Sequence, residues 1–261
     1  MWTSGTSAIV GINDMEERNP LLIGTVIGNR DYRDMDRSVT LFTRERGKVA
    51  FVARGVRKIT SKNRGSTDLF VEGEYLLSRS KAYYVLSQGK VLESYLSIRK
   101  DLTRSAVAMT MTLFLNDVLV ENVPAKEIYE LFSWCLHRLE TSKDPLFLLR
   151  YFLVKALLYL GHKPNLDGCM ICGATSGDFR YSFTDGCLTC SQCTQEGFYI
   201  ENELLDLYKK LEKDDLAGLA GINYGKVRLD KFDFFLEKLI EEIIERRWTG
   251  FDYLRKLIFE D

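Results

Sequence analysis

Five of the chain's six cysteines fall in the run CMICGATSGDFRYSFTDGCLTCSQC, Cys169 to Cys193. Two Cys-x-x-Cys pairs, Cys169/Cys172 and Cys190/Cys193, are separated by 17 residues. That spacing lets four thiolates close a tetrahedron on one Zn2+, each pair forming a tight knuckle. Gly168, Gly173 and Gly186 sit where such knuckles need unusual backbone angles. Cys187 and Cys190 make a third Cys-x-x-Cys pair, so CLTCSQC offers three thiols for two ligand places. A disulfide is the competing chemistry, disfavoured because no secretory signal accompanies the thiols. Catalytic zinc usually recruits His or carboxylate and keeps a coordination place open. Neither His137 nor His162 lies in a knuckle, and the deaminase His-x-Glu element is absent. The cluster reads as a structural staple.

A second chemistry is cationic. Residues 30–64 carry 11 Lys or Arg against 4 Asp or Glu. Arg30 and Arg33 bracket Asp31-Tyr32, Arg44, Arg46 and Lys48 surround a turn, Arg54 ends a strand, and Arg57, Lys58, Lys62 and Arg64 load the long loop that follows. Converging strand ends with such charge form a track for phosphates, and outward aromatics can stack on bases. Of the interleaved rings, Tyr32 and one of Tyr83 and Tyr84 suit stacking, whereas Phe42 and Phe51 fall at positions expected in a core. Asp31, Asp34 and Asp36 could in principle hold Mg2+ for a nuclease. Acids among arginines read more readily as loop ion pairs. No Gly-Lys-Ser/Thr phosphate loop occurs. His137 reads as a core or boundary histidine, His162 as an exposed helix end, and Cys135 as a buried small apolar residue.

The elements that must position these groups change character near Lys100. Before it, apolar residues alternate with period two, giving strands at Leu22–Asn29, Ser38–Arg44, Lys48–Arg54, Tyr75–Ser80 and Lys81–Ser87. Gly47 takes the turn between the second and third. Five short strands suit a small closed barrel of the OB type. After it, the period becomes helical, over Leu102–Glu121, Pro124–Leu139, Asp144 to Gly161, Glu203–Leu211, Asp230–Trp248 and Phe251–Phe259. Asp144-Pro145 is an N-cap followed by a proline in the first turn, and Gly161 a C-terminal stop. The expected organisation is an α+β chain of an N-terminal extension (1–21), a barrel (22–98) and a helical domain (99–261) with an inserted metal module (165–197). A loose lead-in strand near Ala8–Ile12 is the one element expected in the extension.

Net charge is −1, but Leu22–Lys100 carries +8 and Asp101–Asp261 carries −7. A basic front and acidic back suggest a polyanion held at one end. No apolar run approaches a membrane span. The N-terminus lacks a signal-peptide pattern, and clustered thiols then point to a reducing cytoplasm.

These residues resemble the bacterial RecO family of recombination mediators. The resemblance covers the chain from Leu22 onward. It rests on Arg30-Asp31-Tyr32-Arg33-Asp34-Met35-Asp36, Thr40 through Lys48, Ala53-Arg54-Gly55-Val56-Arg57-Lys58 and Ser61-Lys62. It continues through Leu148-Leu149-Arg150-Tyr151-Phe152, Leu157 to Gly161, and Pro164 into Cys169-Met170-Ile171-Cys172-Gly173. Alignment of Gly186-Cys187 with the family's Gly-Gly selects Cys190 and Cys193 as ligands and makes Cys187 a bystander. Asp34, where the family usually has Glu, the extension before Leu22, and the segment Asp68–Glu74 depart from the pattern. The resemblance implies a non-catalytic, nucleoid-associated protein that binds single- and double-stranded DNA and anneals strands. It implies joining RecR, docking the acidic tail of the single-strand DNA-binding protein, and helping RecA onto covered DNA. Arg150 and Lys155 are the expected tail contacts. A zinc-ribbon protein of transcription or translation is the competing reading.

Overall fold

Period-two alternation between Leu21 and Glu93 resolves into five strands in the computed structural model, which describes residues 19–213, 225 and 227–259. The expected lead-in strand at Ala8–Ile12 lies outside the described residues. The strands are β1 (Leu21–Tyr32), β2 (Asp36–Thr43), β3 (Gly47–Ala53), β4 (Glu72–Ser80) and β5 (Tyr83–Glu93). They close in the order β1-β2-β3-β5-β4, with every pairing antiparallel except the β3–β5 seam. This is the expected OB barrel. Inward residues Leu22, Val26, Val39, Leu41, Val49 and Phe51 fill it, with Tyr75 and Leu77 from β4.

Phe42 corrects the expectation of a core ring. Val39 and Leu41 face inward, so Phe42 points out of the barrel. It is buried there against Tyr129 and Phe132, with ring centroids 5.4 and 6.4 Å away. Both partners lie on a helix, so an outward aromatic is covered as completely as an inward one.

The chain divides into two compact units at Ser142/Lys143, so the first helices belong with the barrel. These are α1 (Leu96–Lys100), α2 (Leu102–Val118) and α3 (Lys126–Leu139). Asp101 caps α2 by accepting from the Arg104 N–H at 2.8 Å. A register shift between Val26 and Gly28 marks a bulge in β1, and the Asn116 amide on α2 donates to the Ile27 carbonyl there at 2.9 Å. Glu72 on β4 accepts from Tyr129 at 3.1 Å and Tyr95 at 3.3 Å. Gly47 opens β3 with φ +62°, and a Cβ there would fall 1.9 Å from the Val123 carbonyl oxygen. Gly47→Ala is expected to cost about 2 kcal/mol or more, adding collision to left-handed strain. The urea midpoint measures this; an unshifted midpoint would contradict the close approach.

The second unit is built around α4 (Pro145–Tyr159), whose residues Phe147 to Leu157 are all buried. Asp144 accepts from the Phe147 N–H at 2.9 Å, and Gly161, at φ +81°, follows the helix end. The four-cysteine segment contributes β6 (Asn165–Cys169), β7 (Phe179–Ser182), β8 (Cys187–Cys190) and β9 (Phe198–Ile200), in the order β6-β8-β7-β9. Helices α5 (Asn202–Lys213), α6 (Leu229–Ile244) and α7 (Gly250–Phe259) complete it. The expected helix through Trp248 stops at Ile244, where Glu245 turns left-handed at φ +53°. The buried Trp248 indole then lies over Gly250, leaving no room for a Cβ. No helix among the described residues is long and apolar enough to cross a membrane.

Candidate metal centre and nucleic-acid interface

Two short strands bring the thiols together. Cys169 ends β6 and Cys190 ends β8, and these strands run parallel with Cys169 opposite Leu188. The first knuckle closes by Gly173 N–H donating to the Cys169 carbonyl at 2.8 Å, with Gly173 at φ +74°. The second closes by Cys193 N–H donating to the Cys190 carbonyl at 2.9 Å. The sulfurs of Cys169, Cys172, Cys190 and Cys193 all lie within 4.8 Å of one another, Cys172 and Cys190 at 3.6 Å. A tetrahedron with Zn–S bonds of about 2.3 Å has sulfur–sulfur edges of about 3.8 Å, so this donor set fits a metal ion. The N–H groups of Cys172 and Cys190, with a smaller share from Ile171, hold the Cys169 thiol down at about 6. Hydrogen bonds to the Cys172 and Cys190 sulfurs push Cys193 up to about 12. One sulfur is thus held as the thiolate by backbone donors and another keeps its proton by sharing it with neighbouring sulfurs, a proton that a bound cation would replace. Cys187 lies outside the group; it is buried on β8 opposite Ser182, and burial raises its thiol.

Asp31, Asp34 and Asp36 do not converge. Asp31 pairs with Arg57 at 3.0 Å, and the Asp36 carboxylate accepts from the Gly55 N–H at 2.8 Å. Among the described residues the four thiols are the one group arranged to hold a metal. That removes the support for a metal-dependent nuclease.

The expected cations separate into two sets at opposite ends of β2 and β3. At the β2–β3 turn they are largely spent on the protein. Arg44 pairs with Glu130 of α3 at 2.7 Å. Lys48 Nζ donates to the Asn116 carbonyl at 2.8 Å, in the last turn of α2, and burial lowers its pKa. It neutralises a helix C-terminus. Arg46 remains half-buried in a groove of about 590 Å3, which it lines with Ala50, Arg79, Tyr83 and Tyr84. Arg79 was not among the expected contacts, because it stands on β4 outside the basic block.

At the other end the charge stays outward. Arg30, Arg33, Lys58, Lys62 and Arg64 are exposed and pair with no carboxylate among the described residues. The Arg33 guanidinium lies 5.2 Å from the exposed Tyr32 ring centre. Arg54 donates to the Tyr83 hydroxyl at 3.0 Å, and this bond leads the lowering of that phenol's pKa, with Arg33 adding to it. Arg57 also donates to the Asp34 carbonyl at 2.9 Å, tying loop to turn. Tyr83 is thus the outward ring, while Tyr84 packs on the barrel core. Arg37, in the basic block but outside the expected contacts, is an internal pin, held by Asp68 at 3.0 Å and bonded to Thr67.

Arg150 and Lys155 are corrected as open contacts for a partner's tail. They are 7% and 6% exposed on α4. Asp233 of α6 accepts from Arg150 Nε at 2.7 Å and Nη2 at 2.9 Å, and Lys155 donates to the Glu212 carbonyl at 2.7 Å. A partner's carboxylate would have to displace Asp233. Among the other singled-out groups, His137 is exposed on α3 rather than a core residue, His162 is exposed, and Cys135 is fully buried.

A family model described as "Recombination protein O N terminal" matches residues 22–95, and one described as "Recombination protein O C terminal" matches residues 99–250. The chain is 28% identical over 239 residues to the DNA repair protein RecO of Acetivibrio thermocellus, covering 90% of this chain and 95% of the relative. It is 32% identical over 227 residues to that of Syntrophomonas wolfei, covering 86% and 91%. Against that of Listeria monocytogenes serotype 4b it is 35% identical over 176 residues, covering 67% and 69%.

Proposed function

The chain belongs to the RecO family, and on that premise we propose that it is a non-catalytic mediator of DNA repair and recombination. In this reading it binds single- and double-stranded DNA and anneals complementary strands. With RecR it helps RecA replace the single-strand DNA-binding protein, whose acidic tail it docks. The observation that carries the DNA-binding part is the run of exposed cations Arg30, Arg33, Lys58, Lys62 and Arg64, unpaired with carboxylates among the described residues, together with the exposed rings of Tyr32, beside Arg33, and Tyr83, bonded by Arg54. Phosphates drawn there release counterions, and rings beside them accept bases by stacking. Annealing follows because two backbones can be held with their charge screened while base edges stay free.

Cys169, Cys172, Cys190 and Cys193 would hold one Zn2+ per chain in a structural role. The ion supplies a cross-link among four thiolates. The protein's part is to orient the sulfurs through knuckle amides and to place no His or water-bearing fifth ligand among them.

The test is salt dependence. Replacing the exposed Lys58, Lys62 and Arg64 together by Ala is expected to flatten log affinity against log salt for single strands by about 2, at about 0.7 for each phosphate no longer neutralised. Fluorescence anisotropy of a labelled oligonucleotide across salt reads the slope. An unchanged slope would put the DNA elsewhere on the molecule.

A further inference from the structure

Ile59 is 90% exposed, more than any other large apolar side chain among the described residues. A lone exposed apolar residue needs no explanation by itself. This one occupies a place that suits it on no structural ground. The loop from β3 to β4 is a chain of tight turns, in which the N–H groups of Lys58, Ser61, Arg64 and Thr67 donate to the carbonyls three residues back. Ile59 and Thr60 are the two central residues of the Lys58–Ser61 turn, which closes at 3.0 Å. Turn centres favour Gly, Pro, Asn, Asp and Ser, and a β-branched hydrocarbon gains nothing there.

The arc carrying Ile59 is fixed at both ends. Upstream, Val56 is buried in the barrel core and Arg57 is tied to Asp31 and Asp34. Downstream, the Asn63 carboxamide accepts from the Gly89 N–H at 3.1 Å. The side chain is therefore held out on an anchored turn, between the exposed cations Lys58 and Lys62. Apolar side chains presented with flanking positive charge are the means by which proteins part stacked bases: the cations hold phosphates, and the hydrocarbon enters the step between neighbours.

We propose that Ile59 is a wedge that inserts between adjacent bases of DNA held by the basic loop. This rests on the DNA-binding reading above and adds to it a mechanical act, local unstacking. The surrounding cations fix where the backbone lies, and the side chain finds on binding the apolar surroundings that folding denies it.

The experiment uses the full chain and a duplex bearing 2-aminopurine, whose emission rises when it leaves the stack. The intact protein is expected to raise that emission at saturation, and Ile59→Ala to abolish the rise. Affinity should fall about tenfold with the salt slope unchanged, since the same phosphates stay neutralised. Because the side chain is exposed, the variant should melt with the parent. If both proteins bind with the same salt slope and the same emission, the wedge is overturned while DNA binding stands. If the intact protein binds neither the duplex nor a single strand, both readings fall; binding of the single strand alone overturns the wedge and leaves single-strand binding standing. Ile59-dependent binding to phosphatidylglycerol–phosphatidylcholine vesicles, with no emission change on DNA, would also overturn the wedge in favour of a membrane surface.

Discussion

Removing the metal from the four-thiol cluster, or replacing Cys172 by Ser, is expected to melt residues 165–200 while the barrel remains folded. The strands of that sheet are three to five residues long, too short to persist on their own pairing. In isolated modules a structural zinc site contributes about 10–16 kcal/mol, several times what such a sheet could otherwise supply. Loss would not stop at the knuckles. Tyr181 packs edge-on and Phe183 tilted against Phe235 of α6, at centroid distances of 5.0 and 5.7 Å, so part of the helical core loses its partner. Hydrogen exchange after chelation measures this: amides of 165–200 should lose protection, and those of β1 to β5 should keep it. Elemental analysis should return one zinc per chain. A metal-free preparation with paired thiols and undiminished protection would refute the assignment.

Breaking the Arg150–Asp233 pair from one side is expected to cost about 3–5 kcal/mol, because the surviving charge stays buried and unpaired. Asp233→Ala leaves the Arg150 guanidinium in that position. The double replacement Arg150→Met/Asp233→Leu should cost far less. Burial pushes the Asp233 carboxyl above its usual range, and the Arg150 hydrogen bonds and charge pull it back only in part. Desolvation therefore outweighs the attraction at this carboxylate. The sign for pH follows. A carboxyl with a raised folded-state pKa takes up its proton first in the folded chain, so its contribution to stability diminishes as pH rises through the interval between the two values. Asp233 does not drive acid unfolding. Chemical denaturation of the two variants beside the parent separates these expectations; a double variant as unstable as Asp233→Ala would mean that the pair contributes more than it costs.

The barrel was legible because half-buried strands write their period directly, as Val49, Phe51 and Ala53 do between Ala50, Val52 and Arg54. The cap at Asp144 and the stop at Gly161 were legible for the same reason, since each residue type is chosen by one backbone requirement. What alternation cannot report is what lies over the outward face. Phe42 looked like core and is buried, but under α3 rather than inside the barrel. Charged residues have partners that local pattern does not report either. Lys48 and Arg44 belong to a basic block by sequence, yet one ends against α2 and the other against Glu130. Arg150 looked like an open cation, because a carboxylate 83 residues away is invisible to local pattern. The cysteine spacing narrowed the donors to five sulfurs, and only the family alignment left Cys187 aside. The small sheet that carries them went unforeseen, its strands being too short to show a period.

The seam between β3 and β5 joins by only two residue pairs, Phe51 with Tyr84 and Val52 with Val85. It links segments more than thirty residues apart, whereas β1, β2 and β3 are a local meander. Contacts of long separation form late, after the chain entropy of bringing them together has been overcome. The basic loop lies inside that interval, and its fastenings reach strands on both sides: Val56 into the core, Asn63 to Gly89, Thr67 to Arg37. A chain emerging from the ribosome thus has its cations long before it has the surface that arranges them. Until β4 and β5 have paired with the strands before them, the loop's cations lie on a chain that lacks the fastenings to hold them in place.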